Sequence, residues 1–86
     1  MVKFNYVVQD EVGLHARPAG MLVKEVKALG AVKVTVSGNG KSADATKLMA
    51  IMAMGIKKDM EVEVTVEGEN EEEAAAKLET FFKTNL

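Results

Sequence analysis

Val2, Phe4, Tyr6 and Val8 alternate with Lys3, Asn5 and Val7, the two-residue period of a strand with one buried face. Val32, Val34 and Val36 alternate with Lys33, Thr35 and Ser37, and Met60, Val62, Val64 and Val66 with Glu61, Glu63, Thr65 and Glu67. One face of the resulting sheet must be polar and wet, which suits antiparallel strands covered on one side only. Asn39-Gly40 tolerates positive φ and predicts a tight hairpin, followed by a short strand near Lys41 to Ala43. Ala19, Leu22, Val23, Val26 and Leu29 recur at helical spacing, predicting a first helix that starts near Ala16 and is ended by Gly30. A middle helix is predicted over about Lys47 to Ala53, stopping before Gly55. In the last helix Ala74, Leu78, Phe81 and Phe82 share a face, with Asn70 as N-cap and Glu73 completing a capping box. The order β-α-β-β-α-β-α implies an α+β fold, with three helices on one face of a four-stranded sheet.

At 86 residues the chain supports one core, so residues 1–86 are read as a single domain. Hydrophobic residues at 48% and charged residues at 28% are the proportions of a folded globule. Cysteine is absent and histidine occurs once, so neither a disulfide framework, a thiol nucleophile, a metal site nor a cofactor is expected. The net charge of −2 argues against a nucleic-acid partner, which calls for a basic stripe. The N-terminal stretch, interrupted by Lys3, Asn5 and Gln9, lacks the apolar core of a signal peptide, and no apolar run is long enough for membrane insertion. A cytoplasmic monomer is expected.

The first helix departs from the usual electrostatics. Pro18 lies in its first turn, where a missing N–H costs little, so the helix starts just after His15 and the imidazole sits at the cap. No acid appears from His15 until Glu25, and Arg17 puts a cation where the helix dipole disfavours one. Free backbone N–H groups at Ala16 and Arg17, with the Arg17 guanidinium, form a ready site for phosphate or carboxylate. A neutral imidazole there presents a nucleophilic lone pair able to accept a phosphoryl group, whose oxygens would meet those donors. A lone histidine in a small domain is also commonly a structural residue, and on the residues alone both readings stand.

Leu48-Met49-Ala50-Ile51-Met52-Ala53-Met54 is apolar all round, although a short surface helix buries only one side. Ile51 is assigned inward and Met49 and Met52 at least partly outward, as adaptable contacts for several partners. The alternative is that the methionines fill an irregular core. Gly20 inside the first helix costs about 1 kcal/mol relative to alanine. Gly40-Lys41-Ser42 imitates the end of a P-loop, but Thr35 stands where the motif needs its first glycine. Glu61, Glu63 and Glu67 share a strand face that solvent explains.

Gly13-Leu14-His15-Ala16-Arg17-Pro18-Ala19 resembles the active-site motif of HPr, the histidine-containing phosphocarrier family of the bacterial sugar phosphotransferase system. Asn39-Gly40-Lys41-Ser42 resembles the family's hairpin, Leu48 to Ile56 its apolar second helix, and Gly68 to Glu72 the start of its last helix. The resemblance implies an open-faced β-sandwich with strand order 1-4-2-3, which periodicity alone does not separate from a ferredoxin-like order. It implies that His15 accepts phosphate on Nδ1 from phospho-enzyme I and passes it to the A domain of sugar-specific enzymes II, with Arg17 stabilising the transferring group. It further implies a partner interface of Ala16, Arg17, Gly20, Leu48, Met49 and Met52. Many Gram-positive members carry a kinase-regulated serine at the head of the second helix. Here Lys47 occupies that position, so regulation by that kinase is not expected; Thr46, expected to cap the helix, is the adjacent hydroxyl and the remaining candidate for that role. A carrier of a regulatory, nitrogen-related branch and a non-transferring adaptor of regulators are the alternative functions.

Overall fold

A computed structural model describes residues 1–86. The alternating segments become β1 (Val2–Val7), β2 (Val32–Gly38), β3 (Lys41–Asp44) and β4 (Glu61–Gly68). The helical ones become α1 (Ala16–Ala28), α2 (Leu48–Ala53) and α3 (Glu71–Asn85). The strands pair antiparallel in the order β1-β4-β2-β3, the open-faced arrangement implied by the resemblance. In register, Val34 faces Val66 and Val36 faces Val64, so that each strand's valines fall on the same side. These four, with Val62, are buried in a single core that also takes Leu22 and Val26 of α1, Ile51 of α2 and Leu78 and Phe82 of α3. The other side of the sheet carries Glu61, Glu67 and Lys33 exposed to water, as the alternation requires.

Phe82 is the centre of an aromatic cluster, with ring centroids 5.8 Å from Phe4, 5.7 Å from Tyr6 and 6.0 Å from Phe81, all edge-to-face. The cluster fastens α3 to β1. At the β2–β3 hairpin both Asn39 and Gly40 adopt positive φ, 53° and 73°, as their pairing predicts. The hairpin tip also holds the end of α2, because Asn39 Nδ2 donates to the Met54 carbonyl at 2.9 Å and Lys41 Nζ to that of Ala53 at 3.4 Å.

Two helix caps differ from expectation. Asn70 is in the left-handed region (φ 55°), not the extended conformation that aims a capping side chain at the first turn, so it makes no cap bond and the capping box with Glu73 does not form. Glu71 braces this end instead: its carboxylate accepts the Gly68 N–H at 3.3 Å and the Met1 amino group at 2.8 Å, while Glu73 pairs with Lys77 at 3.5 Å. At α2 the N-cap is Lys47 and not Thr46, since the Thr46 hydroxyl and N–H both donate to Asp44 Oδ1, at 2.6 and 2.8 Å. Those bonds fold Asp44 to Thr46 into a turn one residue before the helix and hold the Asp44 carboxyl below the ordinary carboxylate range.

Candidate functional site

The chain reaches α1 through a loop fixed from three sides. The Asp10 carboxylate accepts the N–H groups of Val12 at 2.9 Å and Gly13 at 3.3 Å, and the Asp10 carbonyl accepts Gly13 N–H at 3.0 Å. The backbone N–H groups of Gln9 and Asp10 both donate to the main-chain oxygen of Leu86, the latter at 2.7 Å. Leu14 N–H donates to the Ile56 carbonyl at 3.0 Å. That last approach is so close that a Cβ on Gly13 (φ 82°) would lie 2.4 Å from the Ile56 oxygen.

His15 therefore arrives at a defined place. It is the N-cap of α1, with extended backbone (φ −94°, ψ −173°), and its carbonyl starts the helix by accepting Ala19 N–H at 2.9 Å. Its half-buried imidazole makes no capping hydrogen bond, so the ring occupies the cap position without serving as a capping acceptor. The first turn carries no acid, Pro18 has no N–H to offer, and the N–H groups of Ala16 and Arg17 have no acceptor within the protein. Arg17 is exposed and within 4.0 Å of no carboxylate. Two unengaged amide donors, an unpaired guanidinium and an unengaged imidazole thus surround one helix start, an arrangement suited to a small oxyanion.

His15 and Arg17 share a cleft of about 180 Å³ with Asp10, Pro18, Met21, Thr84 and Asn85. A larger hollow of about 490 Å³ lies on the open side of the sheet, around Asn5, Ser42, Glu61 and Glu63. It contains no imidazole and no helix end, and the chemistry at α1 does not involve it.

The second part of the site is on α2, which packs beside α1. Ile51 is fully buried, whereas Met49 is 77% exposed and Leu48 and Met52 are 38% and 37% exposed. Of the three methionines only Met54 joins the core, so the inward alternative for Met49 and Met52 does not hold. Ala16 and Arg17 are exposed and Gly20 partly so, and a Cβ on Gly20 would meet no atom within 4 Å. Sequence reasoning missed Asp10, Met21 and Val12. The first was legible as an Asp two and three residues before the amides it binds, the spacing of an Asx turn. Met21, at 41% exposure, lines the His15 cleft, and Val12, at 64%, lies on the loop that leads to it.

An open-faced sandwich in this strand order, with an unengaged histidine at the start of its first helix, has the layout of a histidine phosphocarrier domain. The family model described as "PTS HPr component phosphorylation site" matches residues 2–84, and the chain belongs to the HPr family of phosphotransferase-system phosphocarriers. It is a carrier component and not an enzyme. The chain is 40% identical to the phosphocarrier protein HPr of Mycoplasma capricolum over 62 residues, 72% of this chain and 68% of that protein. It is 45% identical over 56 residues to the multiphosphoryl transfer protein of Salmonella typhimurium, covering 62% of this chain and 15% of that much longer protein. The crystal structure of HPr-C-His from Thermoanaerobacter tengcongensis superposes with a TM-score of 0.88 at 28% identity, covering 98% of this chain and 93% of the other. No helix is long and apolar enough to cross a membrane.

Proposed function

We propose that residues 1–86 act as one cytoplasmic, monomeric carrier domain that takes a phosphoryl group on His15 from phospho-enzyme I and delivers it to the A domain of sugar-specific enzymes II. The observation that carries this reading is the unengaged imidazole at a helix start whose Ala16 and Arg17 amides have no partner. With the proton on Nε2, the Nδ1 lone pair of His15 attacks phosphorus in line as the donor's N–P bond breaks, its electron pair returning to the donor nitrogen. The three phosphoryl oxygens are then met by the two amides and the Arg17 guanidinium. Delivery is the same displacement in reverse, with the acceptor nucleophile attacking and the electron pair returning to His15 Nδ1. Because accepting and releasing share one geometry, an open site with few donors serves better than a deep cage that would hold the charged state too firmly.

Partner docking is assigned to Ala16, Arg17 and Gly20 of α1 together with Leu48, Met49 and Met52 of α2. Exposed methionines can repack against differently shaped acceptors. Regulation at the head of α2 is assigned differently from the many relatives with a serine there: Lys47 has no hydroxyl, and the Thr46 hydroxyl is committed as a donor to Asp44. Incubation with enzyme I and phosphoenolpyruvate, followed by intact mass and peptide mapping, tests the reading. A single acid-labile, base-stable phosphoryl group on His15 is expected, absent from His15→Ala. Acid-stable label, or label persisting in that variant, overturns it.

A further inference from the structure

Asp10 is one of the residues through which the rest of the fold holds the His15 loop, beside Gly13 and Leu14, which meet Ile56. Its backbone and one side-chain oxygen are all used: the N–H donates to the Leu86 main-chain oxygen at 2.7 Å, the carbonyl accepts Gly13 N–H at 3.0 Å, and Oδ1 accepts Val12 and Gly13 N–H at 2.9 and 3.3 Å. The loop in turn depends on these bonds, because Gly13 accepts His15 N–H at 3.0 Å and so passes its own position to the imidazole-bearing residue. Leu86 is buried and continues α3, so Asp10 joins the end of the last helix to the start of the first. We propose that Asp10 is a positioning residue for phosphoryl transfer, its side-chain oxygen setting the turn that aims His15 at the start of α1.

This rests on the reading of His15 as the acceptor, and it specifies what the side chain must supply. The requirement is an acceptor oxygen at the reach of an Asx turn, two and three residues ahead, and not a negative charge. Asp10 does line the His15 cleft, but a negative charge near a site that is to accommodate a dianion opposes phosphorylation. Asparagine keeps the reach and the oxygen while removing the charge. Glutamate keeps the charge but carries the oxygens one methylene too far, and alanine removes both.

The experiment measures enzyme I-dependent phosphorylation of the parent, Asp10→Asn, Asp10→Glu and Asp10→Ala, each checked by thermal unfolding, with amide hydrogen exchange read at Val12 and Gly13. Asn is expected within about 3-fold of the parent rate, and Glu and Ala at least about 10-fold slower, since misplacement of a reacting group by about 1 Å costs on the order of 100-fold. Exchange at Val12 and Gly13 is expected to accelerate in Glu and Ala but not in Asn. The Asn rescue separates positioning from a general loss of fold, and if Ala fails to fold, the Asn and Glu pair still decides. Glu at the parent rate with Asn slow, or Ala folded and fully active, overturns the positioning role while leaving His15 as acceptor. A parent that is never labelled overturns the functional reading and the proposal with it.

Discussion

Gly13→Ala is the most direct perturbation of the way the fold presents His15. The added Cβ would lie 2.4 Å from the Ile56 carbonyl oxygen and 2.6 Å from the Lys57 Cα, both main-chain atoms that no rotamer change can move. Restoring even 3.4 Å, the near limit of ordinary contact, requires the two backbones to separate by about 1 Å. That separation breaks or stretches the 3.0 Å bond from Leu14 N–H to Ile56. The positive φ of 82° adds a left-handed penalty of about 1–2 kcal/mol for any residue with a Cβ. Overpacking typically costs about 1–3 kcal/mol, so a total near 2–5 kcal/mol is expected. For a domain this small that lowers Tm by at least about 8 °C. Phosphorylation of His15 is expected to slow by at least about 10-fold under conditions where the variant is still folded, because the loop that carries it has shifted. A variant within about 2 °C of the parent Tm, phosphorylated at the parent rate, would refute the claim that close packing against Ile56 sets the position of His15.

Arg17→Glu should slow phosphoryl transfer by at least about 10-fold, roughly 1.4 kcal/mol of lost transition-state support, in a stopped assay with enzyme I. It should also raise stability by about 0.3–1 kcal/mol, since an acid enters a first turn that has none; unchanged transfer would show that the amides suffice. Met49→Asp should weaken docking to enzyme I and to an enzyme II A domain by at least about 10-fold in titration calorimetry while shifting stability by less than about 0.5 kcal/mol, because that side chain is 77% exposed. Thr46→Val removes the leading cause of the lowered Asp44 pKa. The stability that Thr46 lends is fully present above the unfolded aspartate value of about 3.9 and fades as pH falls through the lower native value, so urea titrations of parent and variant should differ near pH 7 and converge in acid.

The sheet was legible because each strand carries its own period: a one-residue slip at Val62, Val64 and Val66 would put three valines into water and three polar residues into the core. Strand order was not legible from periodicity, since β4 pairs with both β1 and β2 through backbone groups common to every residue. The resemblance supplied it. Asn70 is the N-cap that the sequence indicated, but its left-handed backbone leaves its side chain without a cap bond, whereas Thr46 is captured by Asp44 and the cap of α2 falls on Lys47. At the candidate site, the missing acids, Pro18 and Arg17 were visible in the sequence. The Ile56 and Leu86 oxygens that hold the loop were not, because a backbone acceptor has no sequence identity.

The same contrast separates the two ends of this molecule that begin helices in charged company. At α3 three consecutive glutamates lie in the first turn, and one of them is already bonded to the Gly68 amide and the Met1 amino group. The positive end of that helix is answered by the chain itself. At α1 nothing answers it: no acid, no capping side chain, and an arginine added to the same end. A sequence that stabilises one helix start so thoroughly has the means to stabilise the other, and substituting a single acid near Ala16 would do so. Leaving α1 unanswered keeps its donors available to an anion that arrives and leaves, while the burden of holding the loop falls on Gly13, Asp10, Ile56 and Leu86, whose bonds lie outside the donor set. Stability of the loop and reversibility of anion binding are thereby carried by different groups, which a carrier needs if it is to be rigid in either state without favouring one of them.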